Sequence, residues 1–205
     1  MSLVDRAKNI IMTPKTEWAA IAAEEPNANS VFMGYALPLI LLSAAASFIG
    51  HGFIWGAHYG LGGLGGSAIT WGIYSAVMVI LGGTLGVWLT AMVVNALAPS
   101  FGSEKNMGRA MQLVCYSYTP AWIGGLLMIY PPLGIIGSLF GLYGLYLIYL
   151  GLPHTMKTPS DKVVTYMVVA VLALIVIYVI VGMVFAGIFL SIFGLGLAST
   201  ATFHM

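Results

Sequence analysis

The chain has 205 residues, 60% of them apolar and only 6% charged, with a formal net charge of +1. A soluble domain normally carries about 25% charged residues, so this composition excludes a water-soluble globule. A balanced charge without a basic run also argues against a nucleic-acid partner.

The seven Lys and Arg and six Asp and Glu residues all fall into three clusters, at 5–25, 104–109 and 157–162. Between them the sequence is apolar. A charge at the bilayer centre costs about 2.5–3.5 kcal/mol even on lenient insertion scales, so the clusters mark where the chain is expected to meet water. The uncharged runs are continuous rather than alternating, which selects helices over a membrane barrel. The predicted fold is therefore all-α, a polytopic bundle of five transmembrane helices preceded by a short amphipathic interfacial segment.

In chain order, residues 1–30 form the interfacial segment. Leu3, Val4, Ala7, Ile10 and Ile11 recur on one helical face, with Asp5, Arg6, Lys8 and Asn9 on the other, the pattern of a helix lying on a leaflet. A second helix is predicted to start at Thr13 as N-cap with Pro14 in its first turn. Trp18, Ile21 and Ala22 would face the membrane, and Glu17, Glu24 and Glu25 the water. This segment reads either as a platform for a partner or as a belt that anchors the bundle.

The five predicted spans cover 32–53, 68–97, 110–130, 133–152 and 163–190, each meeting the roughly 20 residues needed to cross about 30 Å of hydrocarbon. Together, residues 31–190 make the transmembrane domain, and 191–205 a short tail. Five crossings place the termini on opposite sides, and all seven Lys and Arg then lie at one end. The positive-inside rule assigns that end, with the N-terminus, to the cytoplasm and the tail to the outside.

Two spans carry features beyond hydrophobicity. The third contains Tyr116, Ser117, Tyr118, Thr119 and Pro120. Proline there removes one backbone hydrogen bond and frees the Tyr116 carbonyl, which Ser117 or Thr119 would satisfy. Tyr116, Ser117, Thr119 and Pro120 thus form a candidate polar notch, read either as a hinge or binding site or as a plain bend. In the fourth span Gly134, Gly137, Gly141 and Gly144, continued by Gly151, share one face. Such a face lets two backbones approach closely, belonging either to a neighbouring span or to a second copy of the chain.

Several of these stretches carry a family resemblance: Thr13, Pro14, Lys15, Trp18 and Ile21 near the start, Tyr35, Pro38 and Leu39 entering the first span, CYSYTP at Cys115 to Pro120, and GLYGLYLIYLGL at Gly141 to Leu152. In this order they resemble the Yip (Yip-one domain) family of five-span membrane proteins, over about residues 8–190 and most strongly over 109–162. Tyr116 and Pro120 match the Gly-Tyr-x-x-x-Pro stretch of eukaryotic members, with Cys115 in the place of the glycine. The Asp-Leu-Tyr-Gly-Pro element and the long cytoplasmic N-terminal region that link eukaryotic members to Rab GTPases are absent. The resemblance therefore points to the bacterial branch, and to an integral protein of the cytoplasmic (inner) membrane.

Chemistry-bearing motifs are sparse. No P-loop, dinucleotide fingerprint, nucleophile elbow or Cys/His metal spacing occurs, and His51 and His58 have no carboxylate or cysteine nearby to complete a metal site. No catalytic residue, cofactor or metal is expected. The expected function is a non-catalytic interaction or membrane-organising role, with the lipid bilayer and an unknown membrane or cytoplasmic protein as partners and a homo-oligomer as a further option. The alternative is a passive transporter, channel or lipid-handling protein without proton coupling, its path lined by Asn95, Gln112, Ser117 and Thr119.

Overall fold

In the computed structural model, residues 1–55 and 67–189 are described, and among them every regular element is helical. Residues 56–66, with His58, and the tail from residue 190, with His204, lie outside the described residues.

Four of the described helices start where a Ser or Asn side chain accepts an otherwise unpaired backbone N–H. Ser2 accepts from Asp5 to open α1 (Leu3–Met12), and Pro14 opens α2 (Pro14–Ala23) at the position where its missing N–H costs nothing. Thr13 sits at the predicted cap position, but its hydroxyl turns back to the Asn9 carbonyl. Asn27 caps α3, which runs over Ala28–Trp55 with π-helical turns at Phe32–Ala36 and Gly50–Trp55. The first π turn immediately precedes Pro38, which has no N–H for the Gly34 carbonyl; the Leu37 N–H instead reaches back to Phe32.

Ser67 caps the long helix α4 (Ala68–Leu97). A 3-10 turn then ends at Gly102, whose φ of 69° suits glycine. Asn106 caps α5 (Met107–Ser117), and after a break at Tyr118 the chain continues as α6 (Thr119–Gly125) and the 3-10 turn Leu126–Ile129. The last two helices are α7 (Gly134–Thr155) and α8 (Val163–Phe189).

Four of the described helical stretches are long and apolar enough to cross a membrane: Ala28–Trp55, Ala68–Phe101, Pro131–Thr155 and Val163–Ile180. The predicted third span is not an unbroken helix. Its pieces nevertheless follow α3 along its whole length and in the same direction. Gly108 lies against the Pro26 carbonyl, Tyr35 bonds Thr119, Ser43 donates to the Trp122 carbonyl, and Gly50 lies against the Met128 carbonyl. Helix α4 runs antiparallel to α3, with Ser75 donating to the Ser47 carbonyl and Phe32 packing on Trp88 at 5.8 Å.

The glycine face of α7 is used inside the chain. A Cβ on Gly137 would stand 2.5 Å from the Gly124 carbonyl oxygen, and one on Gly144 would stand 2.8 Å from that of Ser117. Further along, Gly151 leaves room for Leu113 and Trp18, and Gly134 for Met128. Gly141 does not share this role, since a Cβ there would meet nothing within 4 Å. At 100° per residue Gly141 lies about 40° from Gly137 and about 60° from Gly144, off the line along which Gly137, Gly144 and Gly151 drift.

The N-terminal segment departs from its predicted placement. Trp18 and Ile21 are fully buried in protein rather than facing lipid, and Glu17 is 5% exposed rather than facing water. On α1 the buried residues are Arg6, Ala7 and Ile10, while Val4 is exposed. The hairpin of α1 and α2 docks on α5, α6 and α7: Tyr143 donates to the Ile11 carbonyl at 2.8 Å and Arg109 to the Ile21 carbonyl at 3.2 Å.

The two later charge clusters meet each other. The Glu104 N–H donates to the Met156 carbonyl, Ser103 bonds Thr158, and Lys157 pairs with Glu104 at 2.7 Å on the surface. Residues up to Met167 form one compact unit. Within it, the Tyr166 ring stacks on Phe101 at 4.7 Å and its hydroxyl donates to the Val94 carbonyl. From Val168 a second unit begins, in which the described residues are the continuing helix α8.

Gly137→Leu is expected to destabilise the fold by about 2 kcal/mol or more, because a side chain against a backbone carbonyl forces two helices apart. Gly141→Leu should leave stability almost unchanged. Melting temperatures of the two variants in one detergent check this; an equal loss at both positions would contradict the contact.

Candidate functional site

The break between α5 and α6 is set by Pro120, which cannot donate to the carbonyl four residues back. That carbonyl belongs to Tyr116, and the Thr119 hydroxyl donates to it at 2.8 Å. With its one proton committed, Thr119 must accept the second bond, so Tyr35 donates to it at 2.7 Å. The freed backbone group is thereby satisfied and α3 is tied to the break in the same step. Thr90 holds the Tyr118 hydroxyl at 2.7 Å from the other side.

All four predicted notch residues come together in the interior. Tyr116 is 6% exposed, and Ser117, Thr119 and Pro120 are buried. The Tyr116 ring packs edge-on against Tyr35 at 4.8 Å and against Trp18 at 6.4 Å. Above its face, at 5.3 Å from the centroid, lies the guanidinium of Arg6, a cation–π geometry that is stronger when desolvated.

Arg6 is the residue that sequence reasoning placed in water. It pairs with Glu17 and Glu24, and the side chains of Arg6 and Glu17 are only 8% and 6% exposed. The signal for this burial was present. Leu3, Arg6 and Ile10 are spaced by three and four on α1, and Pro14, Glu17 and Ile21 likewise on α2, so each charge lies on its helix's apolar stripe.

Next to this network, at the charged end of the bundle, opens a cavity of about 320 Å³. Arg6, Glu24, Gly34, Tyr35, Gln112 and Tyr116 are among its lining residues. Gln112 lies one helical turn before Tyr116 and is 1% exposed. Its Oε1 accepts from Arg109 at 3.0 Å, while its Nε2 has no partner. Asn95, Ser117 and Thr119, grouped with Gln112 by the sequence, are not part of this lining.

The remaining candidate groups have local roles. His51 Nδ1 donates to the Ser47 carbonyl at 3.1 Å, and among the described residues no group of three or more His, Cys, Asp or Glu side chains is placed to hold a metal ion. Cys115 is a buried free thiol.

The Yip1 domain matches residues 8–183 of this chain, a stretch that takes in the N-terminal hairpin from Lys8 onward, the broken helix and the glycine face. The chain belongs to that family of multi-span membrane proteins. No curated protein and no solved structure matches it.

Arg6→Ala is expected to cost about 3–5 kcal/mol, because it leaves the Glu17 carboxylate buried and unpaired. Lys157→Ala, which removes an exposed pair, should cost at most about 1 kcal/mol. Detergent melting curves compare the two. Thr119→Val keeps the shape but strips both hydrogen bonds at the break, and should cost about 2–3 kcal/mol. Tyr35→Phe, which leaves the Tyr116 carbonyl satisfied, should cost clearly less in the same assay.

Proposed function

Taking membership of that family as the premise, we propose that this chain is a non-catalytic, five-span protein of a bacterial inner membrane that works by interaction. Its charged end, with the N-terminal hairpin, faces the cytoplasm. The fifth crossing is supplied by residues 107–129, which keep pace with α3 from Pro26 to Gly50. A helix of that length rises about 35 Å, enough to cross the roughly 30 Å hydrocarbon core. A chain that crosses at this point in two helical pieces falls short of any test based on one unbroken helix. With five crossings the Lys and Arg residues gather at one end, which supports the cytoplasmic assignment.

The observation that carries the interaction reading is the mounting of the hairpin. Its buried side is locked to α5 and α7 through Arg6, Trp18 and Tyr143, while Val4, Asp5, Lys8, Met12 and Lys15 are exposed. A surface of mixed charge and apolar groups, held rigidly at the membrane face, suits a membrane or cytoplasmic protein partner. The Thr119 hydroxyl is already spent, since it both donates to the Tyr116 carbonyl and accepts from Tyr35. Here it is a structural rivet.

Orientation and role are tested together. In a Cys115→Ala background, Lys105→Cys should react with a membrane-impermeant reagent only after cells are opened. A photo-crosslinker at Lys8 should give a discrete adduct in native membranes that weakens when Arg6→Ala unseats the hairpin. Proteoliposomes should hold a trapped small solute as well as protein-free vesicles do. Leakage above that background would replace the interaction role by a passive path.

A further inference from the structure

The turn of the N-terminal hairpin lies deep along the bundle. The Ile11 carbonyl accepts from Tyr143, and Met12, Lys15 and Thr16 share a groove with Tyr146. Tyr146 stands nine residues before the charged end of α7 at Thr155, about 14 Å along the axis. Pro120, which shares a second groove with Ile11, stands thirteen residues after the start of α5 at Met107, about 20 Å along that path. In the five-span reading both levels are well inside a hydrocarbon core about 30 Å thick. Lys15 is exposed there and takes no part in the ion pairs formed among the described residues. Its four-carbon stem does not span the distance back to the charged end, so its ammonium needs an anion brought to it.

The two grooves differ in chemistry. One, of about 450 Å³, is lined by Ile11, Pro120, Leu139, Phe140 and Tyr143 and carries no charge. The other, of about 330 Å³, is lined by Met12, Thr13, Pro14, Lys15, Thr16 and Tyr146, and its one charged group among the described residues is Lys15. The Tyr143 and Tyr146 rings, 5.5 Å apart, and the consecutive residues Ile11 and Met12 join them. Thr13 and Thr16 spend their hydroxyl protons on the Asn9 and Thr13 carbonyls, which leaves the Lys15 ammonium and the Tyr146 hydroxyl as the free side-chain donors of the polar groove. We propose that the two grooves together bind a singly anionic phospholipid, its phosphate on Lys15 and Tyr146 and an acyl chain along Ile11, Pro120 and Phe140. A phosphodiester balances one ammonium. A zwitterionic headgroup would bring a second ammonium to a lining that holds no carboxylate. The hairpin thereby holds a lipid headgroup below the plane of its leaflet.

The assignment rests on the five-span reading and names a lipid class for it. Its test uses the full-length chain in a Cys115→Ala background, reconstituted into phosphatidylcholine vesicles. A fluorophore is placed at Leu142→Cys, an exposed position one turn from Tyr146, or at Leu81→Cys, an exposed position on α4. A fixed share of the lipid, either phosphatidylcholine or phosphatidylglycerol, is brominated midway along its chains to quench the label on contact. At Leu142 the glycerol lipid should be preferred by about fivefold, the worth of one lysine against an anionic lipid, and at Leu81 the two lipids should quench alike. Lys15→Gln should abolish the preference at an unchanged melting temperature, while Lys105→Gln, an equal change of charge at the charged end, should keep it. Equal quenching by both lipids at Leu142, or a preference that survives Lys15→Gln, would overturn the site. So would a label at Met12→Cys that aqueous iodide quenches as freely as one at Lys105→Cys, since the turn would then lie in water. The accessibility of Lys105→Cys in intact cells is read separately: a lost lipid preference with that result unchanged strikes the lipid site alone, and a Lys15-dependent preference with the opposite accessibility upholds the site and strikes the orientation.

Discussion

A buried carbonyl that loses its partner must find another donor, because an unpaired polar group in the interior is costly. This requirement at Tyr116 organises the molecule. Pro120 creates the vacancy, Thr119 fills it, and Tyr35 completes the hydroxyl's bonding from the neighbouring helix. The break would otherwise be a weakness in the centre of the bundle. Instead it fixes the depth of α3 against α5 and α6, and the Ser43 bond to the Trp122 carbonyl repeats the arrangement two turns further on.

Around this break the chain brings together groups with opposite demands on their surroundings. The glycines of α7 admit α5 and α6 at backbone contact, where dispersion replaces the hydrophobic drive that lipid does not provide. On the same helix, Gly151 makes the space that Trp18 occupies. Trp18 in turn packs edge-on against Tyr116, whose ring lies under the Arg6 guanidinium, and the attraction between Arg6 and Glu17 is strengthened by the low dielectric of this interior. Burial and ion pairing are therefore coupled: the pair tolerates its position because the aromatic cluster seals it, and the cluster stays registered because the pair spans α1 and α2.

Much of the architecture was legible because lipid leaves few alternatives. Charge-free runs had to be helical, and the site of the third-span break followed from Pro120 alone. A neighbouring hydroxyl, from Ser117 or Thr119, was expected to reach the freed carbonyl, and the structure selects Thr119. Three features escaped. Gly141 was grouped with its stripe because spacings of three and four place it within about 40° of Gly137, and only the neighbouring helices decide which edge of that face is covered. The charges of the N-terminal segment were read as solvated because single charges usually are. In fact Arg6 and Glu17 lie eleven positions apart on different helices, so their pairing is a tertiary fact that neither helix's pattern contains. The cavity beside Gln112 is assembled from the N-terminus, the start of α3 and α5, and no local stretch of sequence announces it.

The docked hairpin also constrains the order of assembly. The hairpin rests on groups as late in the chain as Gly151, so at roughly 5–20 residues per second it must wait on the order of ten seconds for its seat to be made. During that interval its Trp18, Ile10 and Ile21 have no protein to cover them. An amphipathic pair of helices can rest on the membrane surface meanwhile. The interfacial placement that the sequence suggests is then the natural waiting state of the nascent chain, and the buried one its finished form.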